Sequence, residues 1–374
     1  MYYAVICAIA KDEDEFLKEW VVYHLLLGFD HIIIYDNGSK NPIRILLKDY
    51  IEENLVSVQD YPTQNAPQLS AYFHCLKNWK EKTCWMAFID IDEFIVPLQD
   101  NDIRTFLDRF EEYAGVGIHW MMFGSNGHLK RPKGNVIENY TESIGLSNLY
   151  KSIVHPREVT YPLSPHHFQY AQRFCVNEDQ ICLPHVQSYP TASTIQINHY
   201  YYKSQQDYED KIRRGIATPV KNVTERSIQT FYDHLRLEPK KNTAILRFAS
   251  LVNMFLRNSA KHLAKFIKDQ TFTDVEHVKS TLTDLHNLIE KGDIATAEKK
   301  YKHIARYVHI PQIYIFGMYI YFFKKDFRQF KELLSKGLHE FPEDSMLFYQ
   351  ELLKFYNELT KKDIKELQAY IQNF

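Results

Sequence analysis

The sequence predicts an α/β chain. A mostly parallel sheet domain is expected over residues 1–240, followed by an all-α domain over residues 241–374. Three observations carry this reading. Apolar runs of strand length alternate with amphipathic, helix-length stretches through the first hundred residues. The fourth such run ends on three acids, Asp90, Asp92 and Glu93. After about Asn242 only helical periodicity remains. A repeated βα order selects parallel pairing with right-handed crossovers.

The first strand is expected at 3–10, a continuous apolar run. Residues 12–27 read as a helix with Phe16, Leu17, Trp20, Tyr23, His24 and Leu27 on one face. Acids fill its first turn, where the macrodipole favours them, and Gly28 stops it. A second strand at 31–35 closes on Asp36-Asn37-Gly38-Ser39, a turn signal. A helix at 43–53, a strand at 56–61, a helix at 68–80 and a strand at 85–90 complete the alternation. The pattern then loosens into a helix at 103–113, a strand at 117–123 and the glycine loop Gly124-Ser125-Asn126-Gly127-His128. Residues 135–200, rich in Pro, His and Tyr, read as an irregular, substrate-facing half of short extended pieces. A strand from Ile195 ends it, and a helix begins at Asp207.

In the helical part, Lys291-Gly292-Asp293, Lys324-Lys325-Asp326 and Lys361-Lys362-Asp363 recur 33 and then 37 residues apart. Pro311 and Pro342 close the first two stretches. The spacing resembles a degenerate tetratricopeptide array. An ordinary bundle with lysine-rich turns fits equally.

Composition narrows the function classes. The 374 residues are 45% apolar with a formal net charge of -2, so bulk electrostatics predicts neither nucleic-acid nor membrane binding. Five unpatterned Cys, at 7, 75, 84, 175 and 182, fit reduced thiols in a cytosolic protein. The first residues lack a basic n-region and read as a strand rather than a signal peptide. The longest apolar run, 313–323, is too short to span a bilayer.

The candidate chemistry centres on the acids at 90–93. If the strand runs through them, alternation puts Asp90 and Asp92 on one side and Glu93 on the other. Two same-side carboxylates can share Mn²⁺ or Mg²⁺, which in turn neutralises a diphosphate. A solvated acidic turn is the competing reading. Asp36 can accept hydrogen bonds from a ribose or base, or merely build an Asx turn. Lys11-Asp12-Glu13 ends the first strand and can cap a helix while lining a pocket. His199 can complete a metal site begun by carboxylates, although most lone histidines are structural. His166 and His167 are adjacent, so one ion does not take both. No G-x-G-x-x-G, Walker loop, G-x-S-x-G or H-E-x-x-H occurs.

These segments, taken in order, resemble glycosyltransferase family 92 and related family 2-like transferases. The resemblance rests on Lys11-Asp12-Glu13 with Glu19-Trp20 and His24, on Tyr35–Ser39 and on Phe88–Phe94. It also rests on Trp120–His128, Lys151-Ser152-Ile153 and Asn198–Ser204, and covers roughly residues 2–215. It implies a GT-A fold and an inverting hexosyltransferase that uses a UDP-sugar and Mn²⁺ (or Mg²⁺). It implies Asp90 at the ribose or metal, Asp92 as a direct metal ligand and His199 as a further one. Glu13 and Asp36 would line the nucleotide pocket with Lys11, and Lys151 would meet a phosphate. His128, on the glycine loop, is the acceptor-side catalytic candidate. The chain has Lys-Asp-Glu where the family usually has Lys-Asn-Glu.

The expected acceptor is a glycan or a lipid-linked saccharide in surface polysaccharide synthesis, and the donor sugar expected by analogy is galactose. The enzyme is expected in the cytoplasm, at the inner face of the membrane. The C-terminal helices would dimerise it or hold it at the membrane as a peripheral protein. The weighed alternatives are a sugar-nucleotide nucleotidyltransferase, and a helical-repeat interaction protein with an inactive transferase half. The acidic, glycine-free Ala10-Lys11-Asp12-Glu13 argues against the nucleotidyltransferase.

Overall fold

The computed structural model describes residues 2–63, 66–183, 188–215, 226–273, 275–305 and 310–358. The chain divides into two compact units, Met1–Lys268 and Asp269–Phe374.

Among the described residues of the first unit the strands are β1 (Tyr2–Ala10), β2 (His31–Asp36), β3 (Val56–Asp60), β4 (Thr83–Phe88), β5 (Glu93–Pro97), β6 (Gly115–Phe123), β7 (Glu142–Val154), β8 (Val159–Pro162), β9 (Phe168–Tyr170), β10 (Cys175–Val176), β11 (Ile195–His199) and β12 (Lys240–Lys241). The main sheet runs β3-β2-β1-β4-β7-β6-β11-β5, with β10 on β6 and β12 on β7, while β8 and β9 pair apart. The first four strands are parallel neighbours, as the βα alternation requires. β7 runs antiparallel between β4 and β6. The α/β class and the all-helical continuation therefore hold.

Three expectations change. The strand expected to reach Asp90 ends at Phe88, and Asp90 and Asp92 lie in the connection to β5. Strand alternation therefore does not arrange the acids. Residues 135–200 are not mainly irregular, because β7 contributes 13 residues to the middle of the sheet. Its first half, 142–149, is partly exposed, and Gly145 adopts φ +127, so no clean alternation marks it. The first unit also runs past residue 240. Ile245 and Val252 are fully buried, and the helix Ala249–Leu256 packs on the helix Asp14–Leu26. Arg247 donates to the carbonyls of Pro97 and Asp100, which ties this segment to the end of β5.

In the second unit the first two Lys-rich turns have one construction. Gly292 and Lys325 take positive φ (76 and 57), and the following Asp293 and Asp326 accept from Thr296 N and Gln329 N, each at 3.2 Å. Each turn ends one helix and caps the next. The core positions repeat as well, with Leu285 and Ala297 matched by Met318 and Phe330. Pro311 and Pro342 begin helical segments rather than closing them, since each sits at a first-turn position. The third turn, at 361–363, lies outside the described residues. Among the described residues no helix is long and apolar enough to cross a membrane.

Candidate active site

The helix Asp14–Leu26 props the acidic connection from behind. Trp20 Nε1 donates to Glu93 O at 2.7 Å, and Tyr23 Oη donates to Ile95 O at 2.7 Å. His24 donates from Nδ1 to Trp20 O and accepts from Ile95 N at Nε2. Accepting there requires a neutral ring, and burial lowers the His24 pKa to about 3. On the other flank, β11 runs antiparallel to β5 and sets His199 opposite Glu93. Tyr200 N donates to Asp92 O at 2.8 Å. Two sequence-distant strands thus bring ligand atoms of Asp92, Glu93 and His199 within 4.8 Å of one another.

Each acid finds a buried cation. Lys151 on β7 is 1% exposed, and its Nζ lies 2.9 Å from Asp90 Oδ2 and 3.7 Å from Glu93 Oε2. Asp90 also accepts from Gln68 Nε2 at 2.6 Å, and its backbone N donates to Glu93 Oε2 at 3.0 Å. Lys211 Nζ sits 2.6 Å from Asp92 Oδ2, and His199 Nε2 lies 3.6 Å from Asp92 Oδ1.

The electrostatics split the two neighbours. Burial alone would raise both carboxyls. At Asp92 the charge of Lys211, then His199, outweighs burial and holds the pKa well below the usual 3.8. At Glu93 burial wins over Lys151, with Asp90 and Asp92 adding repulsion, and the pKa rises well above the usual 4.5. Burial, opposed by Asp92, keeps His199 below its ordinary value. Glu93 Oε1 and His199 Nδ1 are buried without a hydrogen-bond partner. Two carboxylates and an imidazole with unspent donor atoms fit a divalent cation of the Mn²⁺ type.

A cleft of ≈ 600 Å³ opens nearby, lined by Lys11, Glu13, Phe16, Arg131, Asp207 and Arg214 among others. Lys11 and Glu13 therefore share one wall. Arg214 Nη1 clamps it, lying 2.6 Å from Glu13 Oε1 and donating to the carbonyls of Lys11 and Asp12. Asp36 is committed to its own loop, since Oδ1 accepts from Ser39 N and Oδ2 from Ile43 N. Asp36 thus builds the turn after β2. His128 places its Nε2 3.3 Å from Asn139 O and its ring against Tyr140. Glu178 accepts four hydrogen bonds from Ser193, Thr194 and Ile195 and caps the start of β11.

Sequence reading missed Lys211 and placed Glu93 on the wrong side. Lys211 stands beside Arg213 and Arg214 on a polar helix capped by Ser204, so no pattern distinguishes it.

The match to known proteins settles the family. The model of glycosyltransferase family 92 matches residues 3–237, well over half of the chain. The chain belongs to glycosyltransferase family 92. A family 92 protein of Ricinus communis (RCOM_0530710) is 30% identical over 224 residues, covering 58% of this chain and 38% of the relative. A family 92 protein of Oryza sativa subsp. japonica (Os08g0121900) is 28% identical, covering 58% of this chain and 36% of the relative. The chain thus spans under two fifths of the length of the curated relatives it matches. Galactan beta-1,4-galactosyltransferase GALS3 of Arabidopsis thaliana is 29% identical over 121 residues, covering 29% of this chain and 23% of the relative. Among solved structures, S. aureus TarS 1-349 in complex with UDP is 12% identical, with a TM-score of 0.29, and covers 41% of this chain and 47% of that one.

Proposed function

We propose that the chain is a metal-dependent, inverting glycosyltransferase that moves galactose from UDP-galactose to a glycan acceptor. The observation that carries this is the meeting of Asp92, Glu93 and His199 beside the Lys151–Asp90 pair, in a chain of family 92. The choice of galactose draws on the galactan galactosyltransferases among its relatives. Asp92, Glu93 and His199 would hold Mn²⁺ (or Mg²⁺), which supplies positive charge beside a departing diphosphate when bound.

The chain's own groups do the rest. Asp90, oriented by Gln68 and Lys151, accepts from donor hydroxyls at its partly exposed edge. Lys151 is sealed and spent on the acids, so it orients Asp90 and does not reach a phosphate. The acceptor oxygen attacks the anomeric carbon as the bond to the phosphate oxygen breaks, and the diphosphate leaves with the electron pair.

His166 is the base in this reading. Its Nδ1–H donates to Tyr150 O at 2.8 Å, its carbonyl accepts from Ser152 Oγ at 2.8 Å, and its N–H donates to Ser164 Oγ at 3.1 Å. These bonds fix the tautomer and leave the Nε2 lone pair uncommitted. Burial, then Lys151, lowers its pKa to about 4, so the ring is neutral near pH 7. Trp120 packs on both His166 and His199, at ring separations of 5.1 and 4.3 Å, and offers a sugar-facing wall.

The test is a UDP-release screen over UDP-galactose, UDP-glucose and UDP-N-acetylglucosamine, with Mn²⁺ or with chelator. Release from UDP-galactose, strongly reduced by chelation, is expected. Absence of release from every donor would falsify the reading. A role in surface polysaccharide synthesis at the inner membrane face belongs to the same proposal. So does dimerisation or acceptor holding by the C-terminal helices. A chain ending at Lys268 that stays soluble, monomeric and equally active on a lipid-linked acceptor counts against that role.

A further inference from the structure

The hairpin β8–β9 pairs apart from the main sheet. In a chain that is 25% charged, its residues 159–170 include no Asp, Glu, Lys or Arg. One side of it is packed down. Phe168, 1% exposed, lies against the rings of Phe88 and Tyr72, with centroids 4.7 and 6.5 Å away, and Val159 joins the same apolar core. The other side faces water. Tyr161 is 50% and Leu163 53% exposed, and Gln169 is exposed beside them. Tyr161 meets Phe73 of the helix Pro67–Trp79 at 5.6 Å between ring centroids, and Phe73 is itself 46% exposed. Single exposed apolar side chains are ordinary, but two rings from separate elements in contact, with a leucine beside them, form a patch of the kind that marks a binding surface.

Two routes join this patch to the acids. The turn of the hairpin carries His166, whose ring lies 5.1 Å from that of Trp120, and Trp120 packs in turn on His199. Hydrogen bonds fix that turn. Ser164 Oγ accepts from His166 N and His167 N at 3.1 and 3.0 Å, Leu163 N donates to His167 O at 2.9 Å, and Ser152 Oγ of β7 donates to His166 O. The second route is the helix. Gln68 in its first turn donates to Asp90, and Phe73 stands about 7.5 Å further along the same axis. Rings held on packed elements lose little freedom when a ligand covers them, so the patch is already organised for binding.

The chemistry of the strip selects its occupant. Aromatic rings cover the C–H face of a sugar, and the amide of Gln169 can both donate to and accept from hydroxyls. Without charge of its own, the hairpin has nothing to pair with a phosphate or an acidic peptide. A lipid surface calls for cations around the apolar groups, and here Lys77, a turn beyond Phe73, is the flanking exposed cation of the helix. We propose that the Phe73–Tyr161 platform binds a neutral saccharide chain, the part of the acceptor that lies beyond the sugar being extended. Calling that chain the acceptor rests on the transferase reading, while the saccharide platform rests on the exposed rings and the uncharged hairpin alone.

The experiment is calorimetric titration of the full chain with UDP and Mn²⁺, and with a ladder of neutral galacto-oligosaccharides from disaccharide to hexasaccharide, in the presence and absence of that nucleotide. Wild-type affinity is expected to rise with saccharide length. Tyr161→Ala and Phe73→Ala should each weaken the hexasaccharide about threefold to tenfold, the scale of one aromatic contact. The disaccharide and UDP should stay within about twofold, the residual effect of a remote change. Tyr161→Phe keeps the ring and should keep most of the affinity. Both positions are exposed, so thermal midpoints should match the wild type. Flat affinity along the ladder, or alanine variants that bind the hexasaccharide as the wild type does, overturns the proposal. Equal weakening of disaccharide and hexasaccharide also overturns it, because that marks a distortion around His166. So does flotation with phosphatidylcholine vesicles that depends on Tyr161 while saccharide binding does not, because the patch is then a membrane contact. If the hexasaccharide binds through both rings but UDP does not bind, the platform stands and the transferase reading fails. If UDP binds and no oligosaccharide does, the platform falls and the transferase reading stands. Binding of no probe at all overturns both.

Discussion

The two units solve opposite problems. The sheet unit buries Asp92, Glu93, Lys151 and Lys211 against one another. Among its described residues the helical unit buries an apolar set, with ion pairs such as Lys300–Asp284 exposed. Buried ion pairs seldom repay their desolvation, so the first unit carries charge inside at a cost in stability. The second gains its order from local capping and repeated apolar positions, which demand little from distant sequence. The difference teaches where to seek chemistry: in the unit that keeps an expensive interior.

Asp92→Asn should break this contrast most. UDP release is expected to fall by about 100-fold or more, as when a positioned electrostatic group is removed. The substitution also leaves Lys211 without its anion, and unfolding of the first unit should shift down by about 3–5 kcal/mol. Steady-state UDP release and chemical denaturation read the two effects separately. An Asn variant with unaltered turnover would remove this aspartate from the chemistry.

A second test uses Glu19, which docks the segment after the glycine loop. Its two oxygens accept from Val136 N and Ile137 N at 2.7 and 3.0 Å. Burial, opposed by those two N–H groups, raises its pKa from 4.5 to about 7. The folded state therefore keeps a proton that the unfolded chain releases above 4.5. The group's contribution is full below that value and declines as pH rises towards about 7. The loss amounts to about 3 kcal/mol. Denaturant midpoints between pH 4.5 and 7 should fall in the wild type and stay flatter in Glu19→Gln. Parallel pH profiles would refute it. Asp92 has the opposite sign. Its contribution is complete above the ordinary carboxylate range and is lost only as pH falls well below 3.8.

Gly317→Ala probes the helical unit. A Cβ there would meet Tyr301 Cζ and Oη at 2.5 Å. Overpacking of this kind costs about 1–3 kcal/mol, and should lower the melting of the second unit while leaving UDP release intact. Equal melting curves would show that the helices repack freely. The smallest effect belongs to Asp326→Ala, which removes the N-cap bond to Gln329 N and should cost about 1 kcal/mol of second-unit stability. A comparable loss in turnover would mean that the units are not energetically separate.

The sequence made the parallel half of the sheet legible because β1, β2 and β4 are largely apolar runs and β3, Val56-Ser57-Val58-Gln59-Asp60, follows a helix-length stretch in the same alternation. It also marked the Asp90–Glu93 connection as the site. β5 went unseen because Glu93–Pro97 follows the acids without an intervening helix, and alternation was extended through a turn instead. β7 went unseen because its register with β6 shifts twice and its exposed half lacks period-two order. His199 was picked out, yet its place opposite Glu93 follows only from the β11–β5 register.

By itself the sequence determined what local rules can encode: strand and helix order, the capped repeat turns and the carboxylates at the end of the fourth strand. Only the tertiary structure decided which cation answers which acid. Lys151 reaches Asp90 across 61 residues and Lys211 reaches Asp92 across 119, so neither pair leaves a periodic trace. Charge pairing depends on distance and burial in space, and both are set only when the strands have closed around the site.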